Sequence, residues 1–463
     1  MLRFSLRLQH IVTLQLPFVS DGVSLGDRLA EWMQQPRAAG FLSDGGAQGR
    51  YSYLMTAPDA VCVLDYDDPQ DAGAMLRAAG GFVHPEDRRD DLPPFTGGLV
   101  GMASFELGLR LENLQRRPFR IEGQTAWPEL VLMRFPAVLA FDHQAQSLTA
   151  IGRGETRAQA QAALDKLAGA WEETIATPME THLAEDGLSL ETPDHVHEDK
   201  VAALVGQIHA GDLFQANLAR GWTGRLRQGI APGHVMQALH RAGAAPFGGF
   251  ITFNDRAMVS NSPERFIRLD GDDLLQTRPI KGTRPRGGDP AEDGRQAADL
   301  MASDKDRAEN LMIVDLMRHD LSKVAQVGSV RVPALNVLES YPNVHHLVST
   351  VTARLQPGKT ATDVLSATFP PGSISGAPKV AAMKVIRDME AARGPYCGSL
   401  FFIDAGGAMD SSVLIRTLAF EKEGGARWHF RAAAGGGIVA DSQPVAERIE
   451  TETKLSLIRR VLE

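Results

Sequence analysis

The alternation of apolar and polar positions is the first regularity along the chain. Phe4, Leu6 and Leu8 alternate with Ser5, Arg7 and Gln9, the two-residue period of a half-buried strand. The arginines and missing acids of this stretch raise the question of a targeting peptide, but polar residues interrupt its apolar run and favour a first sheet strand. Short apolar runs continue to about residue 150, separated by turn clusters such as Ser43-Asp44-Gly45-Gly46 and Asp67-Asp68-Pro69, so residues 1–150 are expected to be a strand-rich N-terminal region. The period then changes. Residues 155–175 are alanine-rich and amphipathic and predict a helix. Thr177 to Pro193 is acidic, poor in aromatics and flanked by prolines, so residues 151–193 read as a helix and a linker ahead of a third region, 194–460. In that region Ser303 caps a helix running through Arg318, residues 447–454 predict a second acidic helix, and Val380 to Ala392 a third. The stretches 272–277 and 428–434 read as strands, and no internal repeat is evident.

Composition narrows the class. A chain of 463 residues suggests two or three domains, or one large interlocked body. With 43% hydrophobic and 23% charged residues it reads as a soluble globular protein. A formal net charge of -9 argues against a general nucleic-acid binder, so an anionic substrate would have to meet a local basic site. No apolar run reaches the roughly 18 residues needed to cross a membrane, so no membrane partner is expected. Cys62 and Cys397, far apart, fit a reducing cytoplasm and read as buried small hydrophobes.

Three constellations carry candidate chemistry. Arg278 to Arg286 packs four cations, two prolines and a glycine into a basic loop around Lys281. Beside several arginines, and desolvated, a lysine amine becomes a competent nucleophile, whereas on composition alone a solvated basic turn is the plainer reading. Asp306 and Glu309 share one helix face, and Glu447, Glu450 and Lys454 share another. Carboxylates from two helices aimed at one point would suit Mg²⁺, and a solvated face with a Glu450–Lys454 pair is the plainer alternative. Finally, the small-residue loop Phe369 to Lys379 and the glycines Gly435, Gly436 and Gly437 offer hydroxyls and close backbone approach to an anion, or plain tight turns. Neither a P-loop nor a dinucleotide fingerprint is present.

In this order the pieces resemble the chorismate-utilising family, which includes anthranilate synthase component I, aminodeoxychorismate synthase component I, isochorismate synthase and salicylate synthase. The resemblance rests on Ser262-Pro263-Glu264-Arg265-Phe266, the PIKGTRPRG segment, the Glu309 helix through DLMRHDL, SISGAPK, and GGGIVADS with its Glu-rich helix, together covering about residues 195–460. Ser375 stands for a usual threonine, His319 for an asparagine and Pro371 for a glycine. Lys281, where anthranilate synthases typically carry alanine, resembles the aminodeoxychorismate synthase branch; anthranilate synthase component I is the rival.

The resemblance implies an α+β fold, a large two-sheet antiparallel β-sandwich with outer helices. It also implies amination of chorismate at C4 to 4-amino-4-deoxychorismate, with Lys281 as covalent nucleophile and Glu264 as general acid. Glu309 and Glu450 would bind Mg²⁺ directly, with Glu447, and Asp306 beside it, holding metal-bound water. Gly282, Thr283, His346 and Ser375 would contact the substrate's ring region. Gly435, Gly437 and Lys454 would face one carboxylate, and Tyr396 and Arg416 the other. Cys397 sits in PYCGSLFF, without a nucleophile elbow, so ammonia would come from a separate glutamine amidotransferase subunit, and the product would feed 4-aminobenzoate and folate synthesis.

Overall fold

Strands that are apolar on both faces dictate a layered molecule. Ser399–Asp404 is buried along its whole length. Its Leu400 and Phe402 join one apolar cluster while Phe401 and Ile403 join another. The neighbouring antiparallel strand Gly98–Ala103 divides the same way, with Val100 and Met102 on one side and Leu99 and Ala103 on the other. One cluster is the layer between two sheets, and the other lies under helices.

The computed structural model describes residues 8–18, 24–79, 91–121, 124–341, 344–424 and 427–463. Two antiparallel sheets, one twelve-stranded and one ten-stranded, pack on a shared apolar layer that includes Tyr53, Phe95, Met258 and Phe402. Outer helices complete the α+β sandwich expected from the family resemblance. Leu25–Trp32, Arg157–Glu173, Pro232–Gly243 and Pro444–Leu462 cover the larger sheet. Ala72–Ala79, Phe105–Leu111, Asp304–Ser322 and Ala361–Thr368 cover the smaller, and Lys379–Met389 packs on Gln215–Arg225 at the end of the larger. Among the described residues no helix is long and apolar enough to cross a membrane.

In each sheet a block of early strands joins a block of later ones at a single seam. Ala39–Leu42 pairs with Phe247–Phe253, and Gly98–Ala103 with Ser399–Asp404. The acidic stretch 177–193 is stitched to the larger sheet rather than left free: Ser189–Leu190 pairs with Gln215–Arg225, and Leu183 is fully buried. Residues 4–7 of the first predicted strand lie outside the described residues; the first described strand is His10–Leu16. The helix expected over 155–175 is Arg157–Glu173, closed at its start by a reciprocal Thr156/Gln159 capping box and anchored by Leu164, Leu167 and Trp171.

Three local expectations need correcting. The basic segment is a strand, Ile280–Pro285, at the edge of the smaller sheet against Val344–Arg354. Gly435 to Gly437 do not turn; they continue the strand Arg427–Ile438. Cys397 is buried as expected, but Cys62 is half-buried.

Candidate active site

Four elements converge on a cavity of about 770 Å³: the strands Ile280–Pro285 and Arg427–Ile438 and the helices Asp304–Ser322 and Pro444–Leu462. The edge strand bends into it through a bulge, its register slipping between Ile280 and Thr283. Gly282 permits the bend: its φ is +81°, and a Cβ there would stand 2.8 Å from Leu300 and 2.9 Å from Asp306. The bulge aims Lys281 inward. Its Nζ donates to the Ser373 carbonyl at 3.2 Å and would lie 3.3 Å from a Cβ on Gly437. Gly437 in the facing strand thus leaves room for the lysine, while a Cβ on its neighbour Gly436 would stand 2.7 Å from Glu447.

Burial lowers the Lys281 ammonium below its ordinary range; the charge on Lys454 acts the same way, and Glu309 and Glu264 oppose it. The neighbouring arginines are not the cause, contrary to the expectation from sequence. Each is neutralised elsewhere: Arg278 by Glu339, Arg284 by Asp299 at 2.6 Å and Asp306 at 3.2 Å, and Arg286 by Asp293 at 2.7 Å.

Glu264 follows the strand Arg256–Ser262 and is 5% exposed. Burial pushes its carboxyl up to about 7, while hydrogen bonds from the Ser373 hydroxyl and the Ile280 N–H, and the charge of Lys281, hold it back. The acid and the amine therefore meet on one residue, Ser373, which offers its hydroxyl to the first and its carbonyl to the second. Sequence reasoning selected Ser375 in the same loop instead. Ser375 does not line the cavity; its hydroxyl is turned into the loop and donates to the Pro371 carbonyl at 2.9 Å.

All the other candidate residues line the cavity. Asp306 opens its helix with its N–H on Ser303 Oγ at 3.2 Å, which sets Glu309 one turn on. Glu447 accepts from Ser442 through Oε1 at 2.7 Å, while its buried Oε2 has no partner. Glu450 pairs with Lys454 at 2.6 Å, and Lys454 also donates to the Gly435 carbonyl at 2.8 Å. Burial raises the carboxyls of Glu309 and Glu447; at Glu450 burial also pushes upward, but Lys454, Lys281 and Lys305 together outweigh it and the net shift is down. Among the described residues no three acidic, histidine or cysteine side chains are drawn together tightly enough to hold a metal ion. The donor chemistry nevertheless fits a hard cation, with the orphaned Glu447 Oε2 as an open acceptor.

At the other end, Arg416 holds a left-handed backbone, φ +52°, and its guanidinium makes no ion pair or hydrogen bond with the described residues. Burial lowers its pKa, so the cavity contains a cation without a counter-charge. Tyr396 is buried beside the cavity. His346 Nδ1 lies 2.9 Å from Thr283 Oγ1, and burial together with Arg416 pushes the ring down to about 4, so it is neutral at pH 7. Asn217, also missed from the sequence, lines the cavity while its carbonyl accepts from Arg393 at 2.9 Å. Nothing in the sequence distinguished its amide from a structural one.

A family model described as chorismate binding enzyme matches residues 40–460. The chain belongs to the chorismate-binding enzymes. Aminodeoxychorismate synthase component 1 of Klebsiella aerogenes is 42% identical over 377 residues, 80% of this chain and 78% of that protein. Anthranilate synthase component 1 of Thermus thermophilus is 35% identical over 396 residues, 84% of this chain and 82% of its own length. Among solved structures, anthranilate synthase component I from Streptococcus pneumoniae superimposes with a TM-score of 0.76 at 26% identity, covering 89% of this chain and 93% of that one. As a chorismate-binding enzyme, this chain brings to the family cavity a lysine amine, a buried acid and an unpaired arginine.

Proposed function

We propose that this enzyme aminates chorismate at C4, giving 4-amino-4-deoxychorismate through a covalent adduct on Lys281. The observation that carries the reading is the meeting of Lys281 and Glu264 on Ser373 inside the cavity. The neutral amine of Lys281 forms a bond to C2. The ring double bonds shift toward C4, and the C4 hydroxyl departs as water with the proton of Glu264. Ammonia then bonds to C4, the double bonds return, and the C2–N bond to Lys281 breaks, so the net change is hydroxyl for amine. Arg416 and Tyr396 would hold the enolpyruvyl carboxylate and Lys454 the ring carboxylate, with neutral His346 and Thr283 against the ring.

Glu309 and Glu450, with Glu447 through water, would hold Mg²⁺, whose positive charge when bound anchors the ring carboxylate. The component 1 designation of the Klebsiella relative supports a second component as ammonia source, and we assign that role to a glutamine amidotransferase. The product's place would be 4-aminobenzoate and folate synthesis in the cytoplasm.

The test is mass analysis of products from purified protein with chorismate, Mg²⁺ and ammonium, beside Lys281→Ala and beside a chelated sample. Aminodeoxychorismate that falls sharply in the variant and on chelation is expected. Anthranilate and pyruvate from the wild type would overturn the reading and leave Lys281 a bystander.

A further inference from the structure

The segment that carries Ser373 is closed at its base by a buried charge. Lys379, the first residue of the helix Lys379–Met389, donates to the carbonyl of Thr368, the last residue of Ala361–Thr368, at 2.6 Å. That bond brackets residues 369–378, with Ser373 in their middle. The same ammonium pairs with Asp320 near the end of the Asp304–Ser322 helix, which carries Glu309. Lys379 is 8% exposed and Asp320 1%. Asp320 takes a second ammonium, from Lys323 at 3.1 Å, and that lysine is half-exposed.

This is a poor place for a lysine on stability grounds alone. A cation at a helix start opposes the helix dipole, and burying both members of an ion pair forfeits their hydration, so apolar side chains of similar size often do as well. What the pair does supply is a fixed relation between the loop and the metal-side helix. The loop already packs on that helix, for a Cβ on Gly372 would lie 2.7 Å from Leu316. Its other flank is held by Arg393 on the Ile374 carbonyl at 3.0 Å and by the Asn217 N–H on the Ser375 carbonyl at 2.8 Å. On the helix side the anchor is an ion pair.

We infer that Lys379 and Asp320 are positioning residues, a buried clasp that sets Ser373 at the distance where its carbonyl holds the Lys281 amine and its hydroxyl the Glu264 acid. The inference rests on the reaction proposed above. Opening the clasp moves Ser373, and with it the two groups that act on C2 and C4, while Arg416, Tyr396 and Lys454, which lie on other elements, stay in place. The chemical step suffers and substrate binding does not.

The experiment compares wild type, Lys379→Met, Asp320→Asn and the double variant Lys379→Met/Asp320→Leu. For each, kcat and KM for chorismate are measured with Mg²⁺ and ammonium, normalised to the folded fraction by circular dichroism. Wild-type product identity, from the same assay, judges the parent reading separately. The single variants are expected to lose about 10²-fold in kcat with KM within about threefold, the scale set by misplacing a reacting group by an ångström. The double variant removes both charges, so it is expected to regain thermal stability over the singles without regaining kcat. Recovery of kcat in the double variant would make the pair merely structural and overturn the inference, as would folded single variants whose kcat stays within about threefold of wild type or whose loss falls on KM.

Discussion

Glu264 and Lys281 need opposite protonation states, and their surroundings move both toward what the proposed chemistry asks. The acid must hold its proton and the amine must lack one. Burial pushes Glu264 up to about 7 and lowers Lys281, so the same burial favours the working form of each. The rate should therefore fall as pH rises through about 7, when Glu264 ionises. It should fall on the acid side as Lys281 gains a proton, giving a bell. Glu264→Gln is expected to lower kcat by about 10²–10⁴-fold and to erase the alkaline limb, read from a pH series of kcat/KM. Stability shifts with the sign of a raised carboxyl. The neutral acid favours the fold below the ordinary carboxylate range, and that contribution is lost as pH rises through about 7, so denaturant titrations of the variant should show a flatter pH dependence. Lys281, Glu264 and the three glutamates were legible because each stands in a distinctive run. Ser373 was not, because two hydroxyls two residues apart in a 3₁₀ turn look alike until the packing of Gly372 on Leu316 decides which faces the cavity.

The strand Arg427–Ile438 shows how an element can be shaped by what it omits. Gly437 faces Gln215 and Lys281, and an added methyl would stand 2.1 Å from Gln215 Nε2. Gly437→Ala is expected to lower kcat/KM by about 10–10²-fold, through displacement of Lys281, while far-ultraviolet circular dichroism keeps its native shape. The glycines suggested a turn from sequence because strands seldom carry three in a row, and only their pairing with Gln215–Arg225 makes them strand. The basic segment misled for a related reason. Pro279 and Pro285 signal a loop, yet both stand at the ends of an edge strand, where a missing N–H is tolerated. The amphipathic helices were read correctly in place and type, since their period survives without knowledge of partners.

Across the whole molecule, neither sheet belongs to one half of the chain. Excising residues 194–463 would strip Ala39–Leu42 from Phe247–Phe253 and Gly98–Ala103 from Ser399–Asp404, baring the apolar layer between the sheets. Such a fragment is expected to show no cooperative melting transition by calorimetry, whereas the intact chain should show one. The α+β class, with strands from both halves of the chain, was legible from the resemblance, but which early strand pairs with which late one was not, because hydrophobic period reports a strand's faces and says nothing about its neighbours.

The same joining of early strands to late ones governs how the protein is made. Gly98 pairs with Asp404, so this early strand emerges from a ribosome long before its partner exists. At the usual 5–20 residues per second, about 300 intervening residues take roughly 15–60 seconds to synthesise. Throughout that interval Leu99, Val100 and Met102, fully buried in the finished enzyme, lack the strand that covers one edge of theirs. A nascent chain in that state is open to aggregation, and its yield in a cell should depend on chaperones that bind it during translation.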